Sequence, residues 1–193
     1  LCGLEANYDR LADFFQEQET KTHTKFDEAK ISNEFETAKK CFDVGTKYLL
    51  PTFKKMTLTD TQKRVEGKLG NIPVPFVGFI DFEFSDCLYD LKTKASTLSV
   101  PSQSDQRQVS IYHHFTGLTP WLAYVSKKEC KQFRVSNPES QLQNVIIATE
   151  SLMRLLSISD DIEECCRAVY PNLDDWMMSE PDKVKAKQIW GIK

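Results

Sequence analysis

At 193 residues the chain is long enough for one domain with a sizeable core and short for two. Twelve Phe supply large core side chains, and because the purely apolar runs are only a few residues long, a bilayer-spanning segment is not expected. The formal net charge of −3 argues at first sight against a nucleic-acid partner.

The distribution of charge changes that reading. Residues 38–136 hold fifteen Lys and Arg against nine Asp and Glu, whereas residues 137–182 hold two against ten. A basic middle beside an acidic flank can offer phosphate a local positive surface, although solvated helix faces would give the same numbers. The start, Leu1-Cys2-Gly3-Leu4-Glu5, lacks the basic-then-apolar order of a secretion signal. Six Cys are too sparse for a disulfide-built scaffold, no Cys-x-x-Cys occurs, and a bond between adjacent Cys165 and Cys166 would be strained. They read as free thiols in a reducing, intracellular compartment.

In chain order, Asn7–Gln16 places Leu11, Phe14 and Phe15 on one helical face, and Glu19–Lys25 is a polar loop. From Phe26 to about Leu50 the pattern is helical, with Ala29, Phe35, Ala38, Phe42 and Leu49 as its apolar positions and Pro51 disturbing its end. Lys63–Leu69, Val74–Phe84 and Cys87–Thr93 read as strands, with a turn at Gly70-Asn71. A polar loop, Lys94–Asp105, leads into a helix from Gln106 to about Phe115; Gly117 and Pro120 close it, and Trp121–Val125 is a fourth strand. Asn137-Pro138-Glu139 opens a helix to about Leu156, and further helices follow near Asp160–Ala168 and Pro181–Trp190, with Gly191 as a C-cap. The order predicts a single α/β domain with a mixed sheet: N-terminal helices over 1–62, a sheet and helix over 63–126, and C-terminal helices over 127–193.

Chemistry concentrates in the second hairpin. Alternation puts Phe79, Asp81 and Glu83 on one face of their strand, and Leu88, Asp90 and Lys92 on one face of the next. A turn at Ser85-Asp86 sets Asp81 opposite Asp90. Two carboxylates facing each other repel, so the pair calls for a cation between them or a proton on one. Oxygen ligands without His or thiolate suit Mg²⁺ or Mn²⁺, and Lys92 adds an ammonium beside whatever that ion holds. A metal, carboxylates and one lysine are the components for cleaving a phosphodiester. Gln108 and Tyr112, four residues apart, share one face of the helix that follows.

Val77-Gly78-Phe79-Ile80-Asp81, then Tyr89-Asp90-Leu91-Lys92-Thr93, then Gln108-Val109-Ser110-Ile111-Tyr112 resembles the PD-(D/E)xK nuclease superfamily, in particular its RecB-like exonuclease branch with phage and mitochondrial members. The resemblance covers residues 63–126, about a third of the chain, and implies a restriction-endonuclease-like αβββαβ core. It also implies Asp81, Asp90 and the Leu91 carbonyl as metal ligands, Lys92 as the catalytic lysine, and Gln108 and Tyr112 as its supporting helix motif. Glu66, on the preceding strand, is a further candidate, with a solvated edge-strand acid as its other reading. Lys63, Arg64, Lys94 and Arg107 are candidates for DNA contacts.

Many relatives place a His or Glu ligand on the helix before the sheet, but no His lies between His23 and His113. Glu34, Glu36 and Asp43 stay open as substitutes. Some relatives bind an iron–sulfur cluster, and here Cys130, Cys165 and Cys166 have the wrong spacing for one. The expected activity is a metal-dependent DNA exonuclease acting in recombination, repair or replication, with a recombination or replication protein as partner. The alternatives are an endonuclease of restriction or junction-resolving type, and a non-catalytic nucleic-acid-binding subunit. No Gly-x-x-x-x-Gly-Lys-Ser/Thr loop is present, so ATP-driven unwinding would need another protein.

Overall fold

The computed structural model describes residues 28–169, 171–173 and 178–192. The helix expected at Asn7–Gln16 and the loop at Glu19–Lys25 lie outside these residues. Helix α1, Glu28–Phe53, carries Pro51 exposed within its last turn, so the proline does not end it. Of the apolar positions expected to face the core, Leu49 is buried, but Ala38 and Phe42 are exposed. The buried line is Cys41, Gly45, Leu49 and Phe53, each four residues apart. A spacing of four turns slowly round the helix axis, by about 40° per step, so the buried stripe runs obliquely across the face read from the sequence and meets it at Leu49.

Strands β1 (Leu58–Gly67), β2 (Phe76–Phe84), β3 (Cys87–Thr93), β4 (Thr119–Val125) and β5 (Cys130–Arg134) form one mixed sheet in that spatial order. β3 and β4 run parallel and the other neighbours antiparallel. The parallel pair follows from the helix between them, since a crossover returns the chain in the same direction. β1 begins five residues before the expected Lys63, because its outer half is polar and carries no apolar alternation. β2 begins at Phe76 rather than Val74, where Pro73 and Pro75 offer no amide to a ladder. β5 is a fifth strand beyond the expected set, turned back by a tight loop in which the Ser126 amide donates to the Glu129 carbonyl.

Helix α2, Gln103–Thr116, starts three residues earlier than expected, capped by Ser102. Helix α3, Pro138–Leu156, has the expected start, though the Asn137 side chain makes no capping bond. Short α4 (Ile162–Arg167) and α5 (Glu180–Trp190) follow, the latter with a Ser179/Asp182 capping box and left-handed Gly191 at its C-cap.

Each face of the sheet has its own core. Cys87 and Tyr89 of β3 with Ala123 and Val125 of β4 pack against Cys41, Leu49 and Phe53 of α1. Leu88, Leu122 and Tyr124, from alternate positions of the same strands, pack against Val109 and Tyr112 of α2. Leu69 and Ile72 from the β1–β2 connection pack with Leu142 of α3.

Alternation fails within β2. Ile80 joins the α2-side core, but Phe82 and Phe84 join the α1 side. The sheet therefore changes face at Asp81, and the expectation that Phe79, Asp81 and Glu83 share a face is not met. Opposite this point Gln62 has φ 52, the one non-glycine positive φ among the described residues. The strained residue absorbs the change of pleat on the edge strand.

Candidate active site

The β2–β3 ladder pairs Phe82 with Tyr89 and Glu83 with Leu88, the register expected from a turn at Ser85-Asp86. Beyond Phe82 the backbone pairing is replaced by a side chain: Asp81 Oδ2 accepts the Leu91 amide at 2.7 Å. Asp81 Oδ1 accepts from Gln62 Nε2 at 2.6 Å. Both carboxylate oxygens are thus held, one from each neighbouring strand, and the group is fixed beside Asp90.

Asp90 is 2 % exposed, and its Oδ2 is partnered by Lys92 Nζ at 2.9 Å. Lys92 Nζ also donates to Gln108 Oε1 at 2.8 Å, and Gln108 Nε2 donates to the Tyr112 hydroxyl at 2.7 Å. One chain of contacts runs from the β3 carboxylate to the middle of α2. The Tyr112 ring lies against Gly78, where a Cβ would come within 2.4 Å of Cε1. Only glycine admits that approach.

Burial pushes the Asp90 carboxyl above its usual range; Lys92 opposes this, while the charges of Asp81 and Asp105 add to it. For Lys92, burial pulls the ammonium down, but Asp90, Asp105 and Asp81 outweigh it and raise the group above its ordinary value. Lys92 is therefore a cation at neutral pH. As a cation it can hold negative charge and donate hydrogen bonds.

Sequence reasoning did not single out Asp105, in the first turn of α2. It is buried and accepts from the Tyr124 hydroxyl at 2.7 Å, with Lys94 Nζ 3.8 Å from the same oxygen. Burial raises this carboxyl, but hydrogen bonds from Ser102 and Tyr124 and the charges of Lys94 and Lys92 prevail and hold it below its usual value. The signal was present: Ser102-x-x-Asp105 is a helix start, and from it Asp105, Gln108 and Tyr112 fall at intervals of three and four on one face.

Other expected residues are placed apart from this group. Glu66 pairs across the ladder with Val77 on the face away from α2 and forms an ion pair with Arg64. Lys63 is on the α2 face and bound to Glu83 at 2.8 Å. Arg107 is half-buried, one residue from Gln108. Glu34, Glu36 and Asp43 are exposed on α1, the helix that packs on the opposite face of the sheet from Asp90 and Lys92. Among the described residues no three His, Cys, Asp or Glu side chains gather as a ready-made metal site. A cleft of 630 Å³ on the α1 side, lined by Tyr89, Trp121, Gln132 and Arg134 among others, contains none of the expected catalytic side chains.

No helix among the described residues is long and apolar enough to cross a membrane. No family model and no curated protein matches the chain. Among solved structures it is similar to "Crystal structure of SSO0001", at 14% identity over 82% of this chain and 76% of that one, with a TM-score of 0.45, a likeness too slight to carry an argument.

Proposed function

We propose that the chain is a metal-dependent DNA nuclease with a restriction-endonuclease-like core, of the RecB-like PD-(D/E)xK type, and that it degrades DNA from its ends. The observation that carries this reading is the joint placement of Asp81, Asp90 and Lys92 with Gln108 and Tyr112: two fixed carboxylates on adjacent strands and a charged lysine oriented by a helix.

The donor set fits a hard divalent ion. Asp90 is buried, with the Lys92 ammonium at its Oδ2, beside a second carboxylate of like charge. Asp81, Asp90 and the Leu91 carbonyl would hold Mg²⁺ or Mn²⁺. So small a protein set suits Mg²⁺, which is commonly bound by one or two carboxylates and completes its shell with water and substrate phosphate. The bound ion would supply an activated water and neutralise phosphate oxygens. Lys92, kept charged, donates to the oxygen on which negative charge grows as the phosphorus is attacked. Gln108 holds the ammonium in line through its carbonyl oxygen, and Tyr112, seated on Gly78, fixes the Gln108 amide.

End-labelled linear single-stranded and duplex DNA, digested beside a closed circle with Mg²⁺ or Mn²⁺, tests the proposal. Loss of linear DNA with the circle intact is the expected result. Nicking of the circle would mark an endonuclease, and DNA bound but uncut with either ion would reject the enzymatic reading.

A further inference from the structure

We propose that Lys94 is a second phosphate contact, serving the phosphate next to the one at Lys92 on a single DNA strand, and that Asp105 with Tyr124 positions it. The inference rests on the DNA-binding part of the function proposed above.

Lys92 and Lys94 are two residues apart on extended chain. The Lys94 amide still donates to the Val125 carbonyl at 2.9 Å, prolonging the β3–β4 ladder past Thr93. Such residues point the same way about 6.6 Å apart, a spacing comparable to that of neighbouring phosphates along one strand. The second lysine is also held before any ligand arrives. Its Nζ lies 3.8 Å from Asp105 Oδ2 and 5.9 Å from the centre of the Tyr124 ring. Tyr124 is fully buried, donates to that same Asp105 oxygen and accepts the Ser102 amide at 3.1 Å. Ser102 in turn caps α2, the helix that carries Gln108. One buried set of bonds therefore ties the placement of Lys94 to the helix that orients Lys92.

The contact is not a closed salt bridge. Tyr124 already occupies the carboxylate oxygen at hydrogen-bond distance, and the Lys94 side chain is 38% exposed. Its ammonium is left with hydrogens for an outside acceptor. A lysine ordered in advance loses less rotamer freedom on binding, which is the gain from holding it loosely against a buried acid.

The test is binding of a fluorescent single-stranded oligonucleotide in EDTA across a salt series, with cleavage measured separately after Mn²⁺ is added. Removing one phosphate contact by Lys94→Ala should weaken binding about fivefold at low salt and reduce the slope of log K against log salt by about 0.7; Lys94→Arg should keep the slope. Asp105→Asn should weaken binding less, leave the slope unchanged, and add nothing in the Lys94→Ala background. In the cleavage assay Lys94→Ala should raise KM more than it lowers kcat. An unchanged slope in Lys94→Ala, or full additivity of the two substitutions, overturns the proposal, as does a wild-type chain that does not bind the oligonucleotide. Binding with the expected slopes but no cleavage would reject the nuclease activity and leave the phosphate contact standing.

Discussion

Asp81 Oδ2 takes the Leu91 amide where a strand carbonyl would ordinarily stand, so this acid belongs to the sheet as well as to the site. The two roles separate under substitution. Asp81→Ala strands a half-buried amide, which costs about 1–3 kcal/mol. Asp81→Asn keeps an acceptor oxygen there and should melt close to wild type. Both should lose cleavage. Thermal melts in EDTA beside a strand-cleavage assay check this, and equal melting of the Ala and Asn variants would remove the structural role.

Asp90 and Lys92 should part company in a Mn²⁺ titration. Asp90→Ala loses both metal binding and cleavage, whereas Lys92→Ala loses cleavage and largely keeps the metal. Gln108 acts on Lys92 from outside the reacting centre, so Gln108→Ala should slow cleavage by about 10- to 100-fold, less than either. Wild-type rates from Asp90→Ala or Lys92→Ala would refute the assignment.

Gly78→Ala should destabilise the fold by about 1–3 kcal/mol through overpacking, because the new methyl meets the Tyr112 ring. Adding Tyr112→Leu should recover part of that loss while activity stays low. Urea melts of the two single variants and the double variant measure the coupling, and strict additivity would show that the ring simply moves aside.

Stability against pH should separate two buried acids in the metal-free chain. Asp105 is held below its usual value, so its stabilisation is complete above about 3.9, the unfolded carboxylate value, and disappears as pH falls through the lowered folded value. Asp105→Asn should flatten the acid limb of the wild-type curve. Asp90 is raised, so its ionised form works against folding, and that penalty fades as pH falls through the raised value. Asp90→Asn should gain stability at pH 7 and lose that advantage toward pH 4. Urea denaturation from pH 7 to pH 2 gives both curves.

The hairpin register was legible because a period of two and a short turn leave few alternatives, and Phe82 opposite Tyr89 follows from them. The face change at Asp81 was not legible. It depends on Gln62 adopting a positive φ on a strand nineteen residues away, which no local pattern announces. β5 was missed because Cys130–Arg134 carries little apolar alternation and is held by its pairing with β4. Residue type and spacing proposed Lys92 and Gln108, but Asp105 and Tyr124 owe their contact to the packing of α2 on β4, a relation between distant segments.

Two glycines on β1 and β2 meet aromatic rings of α2: Gly78 beneath Tyr112 and Gly67 beneath Phe115, where a Cβ would come within 2.4 Å of the ring in each case. Neither glycine carries a functional group, yet together they determine how low the helix rides over the strands. A methyl at either would lift it and draw the Gln108 amide away from the lysine it steadies. The reach of the site is thus gauged by two hydrogen atoms on backbone that lies outside it.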